Sequence, residues 1–485
     1  MTFNSNKLTI KQLSASFLKV LFCSAYGVLV LLAGEVAAEE IAVNDLLRKY
    51  VQQPDAAYSW EVVRTLEGSG AKTHVVQLTS QRWRGDNDVD RSLWQHWLLV
   101  VVPEKVKSSM AFLFVGGGSN GKQVPDKIDS TVAQIAASTG SVVIELKQTP
   151  NQPLIFGKDG VKRNEDDLIA YAWNKYLETK DHTWLPRLPM VKGVVRAMDC
   201  VQELLKQDRY GGHMIEKFTV AGGSKRGWTT WMTATADPRV AAIVPIVIDV
   251  ANVDASMRHH AAVYGFWSHA IGDYVRHGIT KQWDSEPLRQ LLKIEDPYFQ
   301  RERLTMPKFI VNAAGDQFFC PDSSQFYYDD LPGEKLLRYV PNADHSLRGS
   351  DAVESIAAYY QMLLSGRPRP RHSWKFEPDG SIRVSTADRP RRVLLWQATN
   401  TKARDFRLTS IGAAYRSQEL KRQEDGSFVG QVPQPPEGWT AFFIEMTYDT
   451  DSALQLKLTT SVRVVPDKLP FANVDLKTVP FELER

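Results

Sequence analysis

A serine, a histidine and an aspartate stand far apart in this chain, each just past a run that reads as a β-strand. Together they are the residue types that acyl transfer uses. The serine lies in Val220-Ala221-Gly222-Gly223-Ser224-Lys225-Arg226-Gly227-Trp228. A hydroxyl is a poor nucleophile unless it is held exposed, beside a base, with N–H donors waiting for the oxyanion. A buried strand turning sharply into a helix meets those needs. The glycines let strand and helix approach, Ser224 projects above the sheet, and the Lys225 N–H points into the reacting space. The usual G-x-S-x-G spacing is broken, because Arg226 holds the fifth position and the glycine arrives at Gly227. A serine capping a helix N-terminus is the plainer reading of Ser224 by itself.

The partners strengthen the chemical reading. Lys308-Phe309-Ile310-Val311-Asn312 reads as a strand, and Ala314-Gly315-Asp316 turns out of it. Leu336-Leu337-Arg338-Tyr339-Val340 is the next strand, leading to Ala343-Asp344-His345. The order Ser, Asp, His on successive strand ends predicts a triad. His345 takes the Ser224 proton and later returns it to the leaving group, while Asp316 orients the imidazole. Activity is therefore expected to fall in mild acid, as the imidazole gains a proton. Asp344, Asp322 and Asp249 compete with Asp316 for the acid role. A second oxyanion donor is expected from Gly117 or Gly118, in the Gly116-Gly117-Gly118 loop that follows the apolar run 111–115. That loop lacks the lysine spacing of a phosphate-binding loop. Arg226 and Trp228, beside the nucleophile, are candidate substrate contacts. Trp231, Trp267 and Trp283 divide between pocket and core. His259, His260 and His269 read as core or surface histidines, so no metal is assigned and the mechanism calls for no cofactor.

The elements that must position these groups follow from the hydrophobic pattern. Residues 58–115 alternate as strands and then give way to short apolar runs separated by helical spacing, such as Leu188 to Leu205. Strands at Val240 to Val250, 308–312 and 336–340 complete a doubly wound, mostly parallel sheet covered on both faces, an α/β-hydrolase arrangement. Segments at about 150–187 and 252–303 lack strand character and are expected to cap the C-terminal edge of that sheet. Past Gly366 the run Arg367-Pro368-Arg369-Pro370-Arg371 reads as a stiff linker. Beyond it the period becomes two, and about seven short strands suggest an all-β, immunoglobulin-like sandwich over 372–485.

At the other end, Lys7 and Lys11 precede an apolar run from Leu21 to Leu32 and the small residues Val36-Ala37-Ala38. That is the pattern of a signal peptide over 1–38, leaving 39–366 as the catalytic domain and giving an exported protein, periplasmic or secreted. No other stretch is long enough to span a membrane. Loss of Lys7, Lys11, Lys19 and Glu35 takes the formal charge from +3 to +1, which gives no electrostatic reason to expect nucleic acid as a partner. Cys200 and Cys320 remain, and an oxidising compartment would permit them to pair.

Three longer motifs carry a family resemblance: Gly223-Ser224-Lys225-Arg226-Gly227-Trp228-Thr229-Thr230-Trp231, Trp184-Leu185-Pro186-Arg187-Leu188-Pro189-Met190 and Gly438-Trp439-Thr440-Ala441-Phe442-Phe443. Together they resemble the PhoPQ-activated pathogenicity-related family. The resemblance implies an α/β-hydrolase domain with an all-β C-terminal domain, in exported proteins linked to virulence regulation and resistance to cationic antimicrobial peptides. It implies no defined substrate. The sequence thus predicts a serine hydrolase acting on an ester or peptide substrate. The rival is a non-catalytic protein of the same fold that sequesters a peptide or envelope component.

Overall fold

The computed structural model describes residues 45–68 and 70–482. The expected signal peptide over 1–38 lies outside the described residues, as does the start of the predicted catalytic domain. Among the described residues, no helix is long and apolar enough to cross a membrane.

Nine strands form the central sheet: β1 (Ser59–Gly68), β2 (Ala71–Arg82), β3 (Leu93–Pro103), β4 (Met110–Val115), β5 (Val143–Leu146), β6 (Lys217–Gly223), β7 (Val240–Ile246), β8 (Lys308–Ala313) and β9 (Lys335–Val340). Their order is β1-β2-β3-β5-β4-β6-β7-β8-β9. The first three pair antiparallel, and β3 pairs antiparallel with β5. From β5 to β9 every pairing is parallel. This is the α/β-hydrolase sheet, with β4 and β5 exchanged so that β4 lies beside β6.

Side-chain alternation explains why helices cover both faces. Ala111, Leu113 and Val115 of β4 join one core with Val191, Val194 and Trp231. Phe112, between them, joins the other core with Ile135, Ile356 and Tyr360. A strand buried on both sides is mostly apolar, which is why β4 reads as an unbroken hydrophobic run and β8 and β9 as runs broken only by Lys308, Asn312, Lys335 and Arg338. The parallel register brings Val115 beside Gly222, Gly223 beside Ile246 and Ala313 beside Val340. The loops after β4, β6, β8 and β9 therefore all leave from one edge of the sheet.

The expected strand Val240 to Val250 stops at Ile246. Val247 adopts φ 44°, and the apolar residues beyond it, Ile248 and Val250, turn to line a cavity. An apolar run was thus divided between a strand and a pocket wall. The C-terminal region has eight strands rather than about seven, because two of them span only three residues. They are β10 (His372–Phe376), β11 (Ile382–Thr386), β12 (Arg392–Asn400), β13 (Arg416–Glu419), β14 (Phe428–Gly430), β15 (Trp439–Asp449), β16 (Gln455–Thr459) and β17 (Arg463–Val465). They form two antiparallel sheets, one of β10-β11-β14 and one of β13-β12-β15-β16 with β17 on β15. These sheets do not hang on a free linker. Arg369 makes a two-pronged pair with Glu334, Tyr339 N–H donates to Thr459 Oγ1 at 2.9 Å, and Leu395, Ile444 and Leu458 share a core with the helix Ala352–Leu364. Cys200 and Cys320 are both buried free thiols.

Candidate active site

Ser224 caps β6 and opens the helix Lys225–Ala236 with φ 57° and ψ −127°, a region that L-residues enter only under constraint. The glycines around it explain how the turn closes. A Cβ at Gly222 would lie 2.7 Å from the Arg226 carbonyl oxygen, and one at Gly227 would lie 2.7 Å from Ile248 and 2.8 Å from the Gly222 oxygen. Strand and helix therefore touch through Gly222 and Gly227. The glycine missing from position 226 has its packing role filled one residue later.

Arg226, freed from that contact, runs sideways. Its guanidinium grips Glu165 at 2.7 Å through both terminal nitrogens, and Nε donates to the Thr149 carbonyl. It also lies under Gly117, where a Cβ would approach Nη2 to 2.7 Å. Glu165 in turn receives Lys225 Nζ at 2.8 Å, and its own N–H donates to Gln152 Oε1 at 2.8 Å. Gln152 Nε2 completes the circuit by donating to the Gly118 carbonyl at 3.2 Å. Burial works against ionisation of Glu165, but Arg226 and Lys225 outweigh it and bring its pKa down to about 2. Arg226 is thus held by protein groups and is not among the residues that line the cavity beside Ser224.

Lys225 N–H, Gly117 N–H and Gly118 N–H donate to no protein acceptor among the described residues. They lie on the loops after the adjacent strands β6 and β4. Unused backbone donors at one sheet edge are what a developing oxyanion requires.

Asp316 follows β8 and His345 follows β9. Asp316 Oδ2 accepts from His345 Nδ1 at 2.8 Å, while its other oxygen accepts the Phe318 N–H at 2.7 Å. With Nδ1 facing a carboxylate, Nε2 is the ring nitrogen that presents a lone pair. Nε2 is buried and has no hydrogen-bond partner among the described residues. The structure therefore joins Asp316 to His345 but leaves Ser224 Oγ unbonded to the imidazole. The Phe318 ring packs 4.3 Å from the His345 ring and the Phe319 ring 6.3 Å from it, centre to centre. Both phenylalanines line the cavity that also contains Ser224.

The rival acids are engaged elsewhere. Asp344 binds Ser346. Asp249 is buried between the hydroxyls of Tyr327 and Tyr339, and burial pushes its pKa up to about 8. Asp322 holds His259 at 2.9 Å and Arg404 at 2.7 Å. Burial would raise its pKa, yet its contacts with His259 and Arg404 outweigh burial and hold it below the usual carboxylate range. Cys320 joins His259 and Asp322 to put three ligand-capable atoms within 4.8 Å of one another. Both Asp322 oxygens are already taken by His259 and Arg404, so the cluster is closed on itself. Of the other histidines, His260 is buried and its Nε2 accepts the Ser268 N–H at 3.2 Å, and His269 meets Glu482.

The cavity beside Ser224 holds about 80 Å³. Trp228, Trp267 and Trp283 line it, whereas Trp231 is a core residue. Both segments that lacked strand character contribute walls: Asp166 and Trp173 from one, Met257, Tyr274 and Ile279 from the other. Sequence reasoning missed Glu165, Asp166, Trp173, Phe318 and Phe319. The doublet Phe318-Phe319, two residues after the candidate acid, was the available signal.

Comparison with known proteins bears on identity. Residues 47–407 match the family model described as PhoPQ-activated pathogenicity-related protein. Autocrine proliferation repressor protein A of Dictyostelium discoideum is 38% identical over 456 residues, covering 88% of this chain and 92% of that protein. Acetyl xylan esterase 1 from a Thermoanaerobacterium species superposes with a TM-score of 0.48 at 14% identity, over 67% of this chain and 93% of that one. An acetyl xylan esterase from a Paenibacillus species gives 0.46 at 16% identity, over 66% and 93%. At such scores these likenesses add nothing to the fold assignment, which rests on the sheet order. The family match and the long-range identity do settle kinship: this chain belongs to the PhoPQ-activated pathogenicity-related family.

Proposed function

We propose that this protein is an exported serine hydrolase that forms an acyl-enzyme on Ser224 and cleaves an ester or amide. Ser224 Oγ attacks the carbonyl carbon and its proton passes to His345 Nε2. The oxyanion is received by the Lys225 N–H with that of Gly117 or Gly118. The tetrahedral species collapses, the C–O or C–N bond to the leaving group breaks, and His345 protonates that group. Water, deprotonated by His345, then attacks the acyl carbon, and the proton returns to Ser224 as the acid product leaves. Asp316 holds the imidazole throughout. A link to virulence and to resistance against cationic antimicrobial peptides comes with the family resemblance and is part of this reading.

The observation that carries the proposal is the concentration of prepared groups at one sheet edge. A serine held at positive φ, three unused N–H donors and an Asp316–His345 pair with a free Nε2 all lie there. Catalytic hydrogen bonds are often loose without substrate, so the missing Ser224–His345 bond fits a resting enzyme. That same gap also favours the second reading, a binding protein that keeps the fold without turnover, and a relative named as a repressor of proliferation suits either. A fluorophosphonate probe separates them. Labelling of the folded protein that disappears in Ser224→Ala and drops sharply in His345→Ala supports the hydrolase. No labelling of folded protein supports the binding role.

A further inference from the structure

The cavity beside Ser224 has an unusual arrangement of its polar groups. Trp228 Nε1 donates to the Glu295 carbonyl at 2.6 Å, Trp173 Nε1 to the Glu295 carboxylate and Trp283 Nε1 to Asp254 at 2.8 Å. Tyr274 gives its hydroxyl to Asp166 at 3.2 Å. Each of these rings has its polar atom turned onto protein, leaving carbon surface as its contribution to the cavity. The charged side chains are likewise paired, although Arg187 Nε has no hydrogen-bond partner among the described residues. Arg187 pairs with Glu295 at 2.6 Å and lies 3.7 Å above the Trp228 ring. Lys225 is held by Glu165 and by Asp166 at 3.1 Å.

From this geometry we infer that the cavity receives the acyl part of the substrate, and that this part is neutral, apolar and larger than an acetyl group. The inference rests on Ser224 being the nucleophile. Size follows from the cavity volume of about 80 Å³, at least about five times what one buried water requires. Polarity follows from these pairings, since a charged or hydroxyl-rich group entering here would lose its water and find few partners. The side of the scissile bond follows from Phe318 and Phe319. These rings stand between the cavity and His345, which is not among the lining residues. A leaving group must collect its proton from His345, so it departs on the imidazole side of that aromatic wall. What occupies the cavity is the portion that stays on Ser224 through both half-reactions.

The test compares p-nitrophenyl acetate, 3-phenylpropionate and the glutarate half-ester on the full protein, together with binding of 3-phenylpropionamide to Ser224→Ala followed by tryptophan fluorescence. Filling a hydrophobic pocket changes kcat/KM by about 10- to 200-fold per group. The phenylpropionate is therefore expected to exceed the acetate at least tenfold, with the glutarate below both, and the amide to bind saturably. Met257→Trp, which fills the cavity from a half-buried wall position, should lower the phenylpropionate-to-acetate ratio and weaken the amide. Ser224-dependent hydrolysis with a flat ratio, or with the glutarate preferred, would overturn the acyl-pocket assignment and leave the hydrolase intact. Saturable amide binding that Met257→Trp weakens, with no turnover of any ester, would sink the hydrolase and uphold the apolar cavity. Absence of amide binding to folded protein would overturn the cavity assignment directly.

Discussion

At Ser224 the backbone sits at φ 57° and ψ −127°, a conformation that costs on the order of 1–3 kcal/mol for a residue with a Cβ. Glycine enters that region freely, so the strain can be measured apart from the chemistry. Ser224→Gly is expected to be more stable than Ser224→Ala by about 1 kcal/mol in chemical denaturation, with both variants inert to a fluorophosphonate. Equal stabilities would mean that the elbow is not strained. The candidates Ser224, Asp316 and His345 stand out in the sequence for a common reason. Each follows a strand whose apolar run is unmistakable, and the turn residues around it mark where the strand ends. Glu165 was not legible. Three acids, Glu165, Asp166 and Asp167, open the helix Glu165–Thr179, and acids there are ordinary compensation for the helix dipole. Nothing local announces that the first of them grips a side chain 61 positions away.

Among the elements, the informative unit is the junction of the loop after β4, the helix after Ser224 and the start of the helix Glu165–Thr179. Arg226 ties them by holding Glu165 and the Thr149 carbonyl while lying under Gly117. On the proposed mechanism Arg226 is a positioning residue that sets where the Gly117 and Gly118 donors lie. Arg226→Lys and Glu165→Gln should each lower kcat by roughly 10- to 100-fold, less than the roughly 100- to 1,000-fold lost when an oxyanion donor is removed outright, while KM changes little. Because the Glu165 pKa is brought down to about 2, its charge persists throughout mild acid. The shape of the pH profile should therefore survive in the Glu165→Gln variant. A loss confined to KM, or a changed pH profile, would assign these residues to substrate contact or proton transfer instead. The mostly parallel sheet was readable, since strands buried on both faces leave short, largely apolar runs. The end of β7 was not, because pocket-lining residues are as hydrophobic as the strand they continue.

On the scale of the whole molecule, the C-terminal region reaches back to the cavity. Phe471 N–H donates to the Ala262 carbonyl at 2.9 Å, Trp267 N–H to Pro480 at 2.8 Å, and Glu482 N–H to Trp267 at 2.9 Å. Arg407 clamps Glu482 at 2.7 and 2.9 Å. This tail fastens Trp267, one wall of the cavity, from outside. Ending the chain at Leu469 should leave the far-ultraviolet signature of the large sheet in place, while kcat/KM for an apolar acyl ester falls more than that for the acetate. An equal fall for both would deny the tail a part in specificity. Stability should also depend on acidity in a definite direction. Burial lowers the His96 pKa from 6.5 to about 4 and that of His260 to about 3. Below about pH 6.5 the unfolded imidazoles bind protons that the folded ones refuse, so stability falls as pH falls toward those lower values. For His96 the loss is about 2 kcal/mol by pH 5, and urea unfolding of His96→Gln should show a correspondingly shallower decline between pH 7 and 5. An unchanged decline would mean that His96 is not kept neutral in the folded protein.

The most direct measurement is the covalent species itself. Mixing the protein with p-nitrophenyl 3-phenylpropionate should release a burst of p-nitrophenol of up to one equivalent per chain. Acid quenching within that burst should give an intact mass raised by one acyl group, located by peptide mapping to Ser224. An adduct on any other residue, or steady turnover in which no quench time ever yields an acylated chain, would contradict the account.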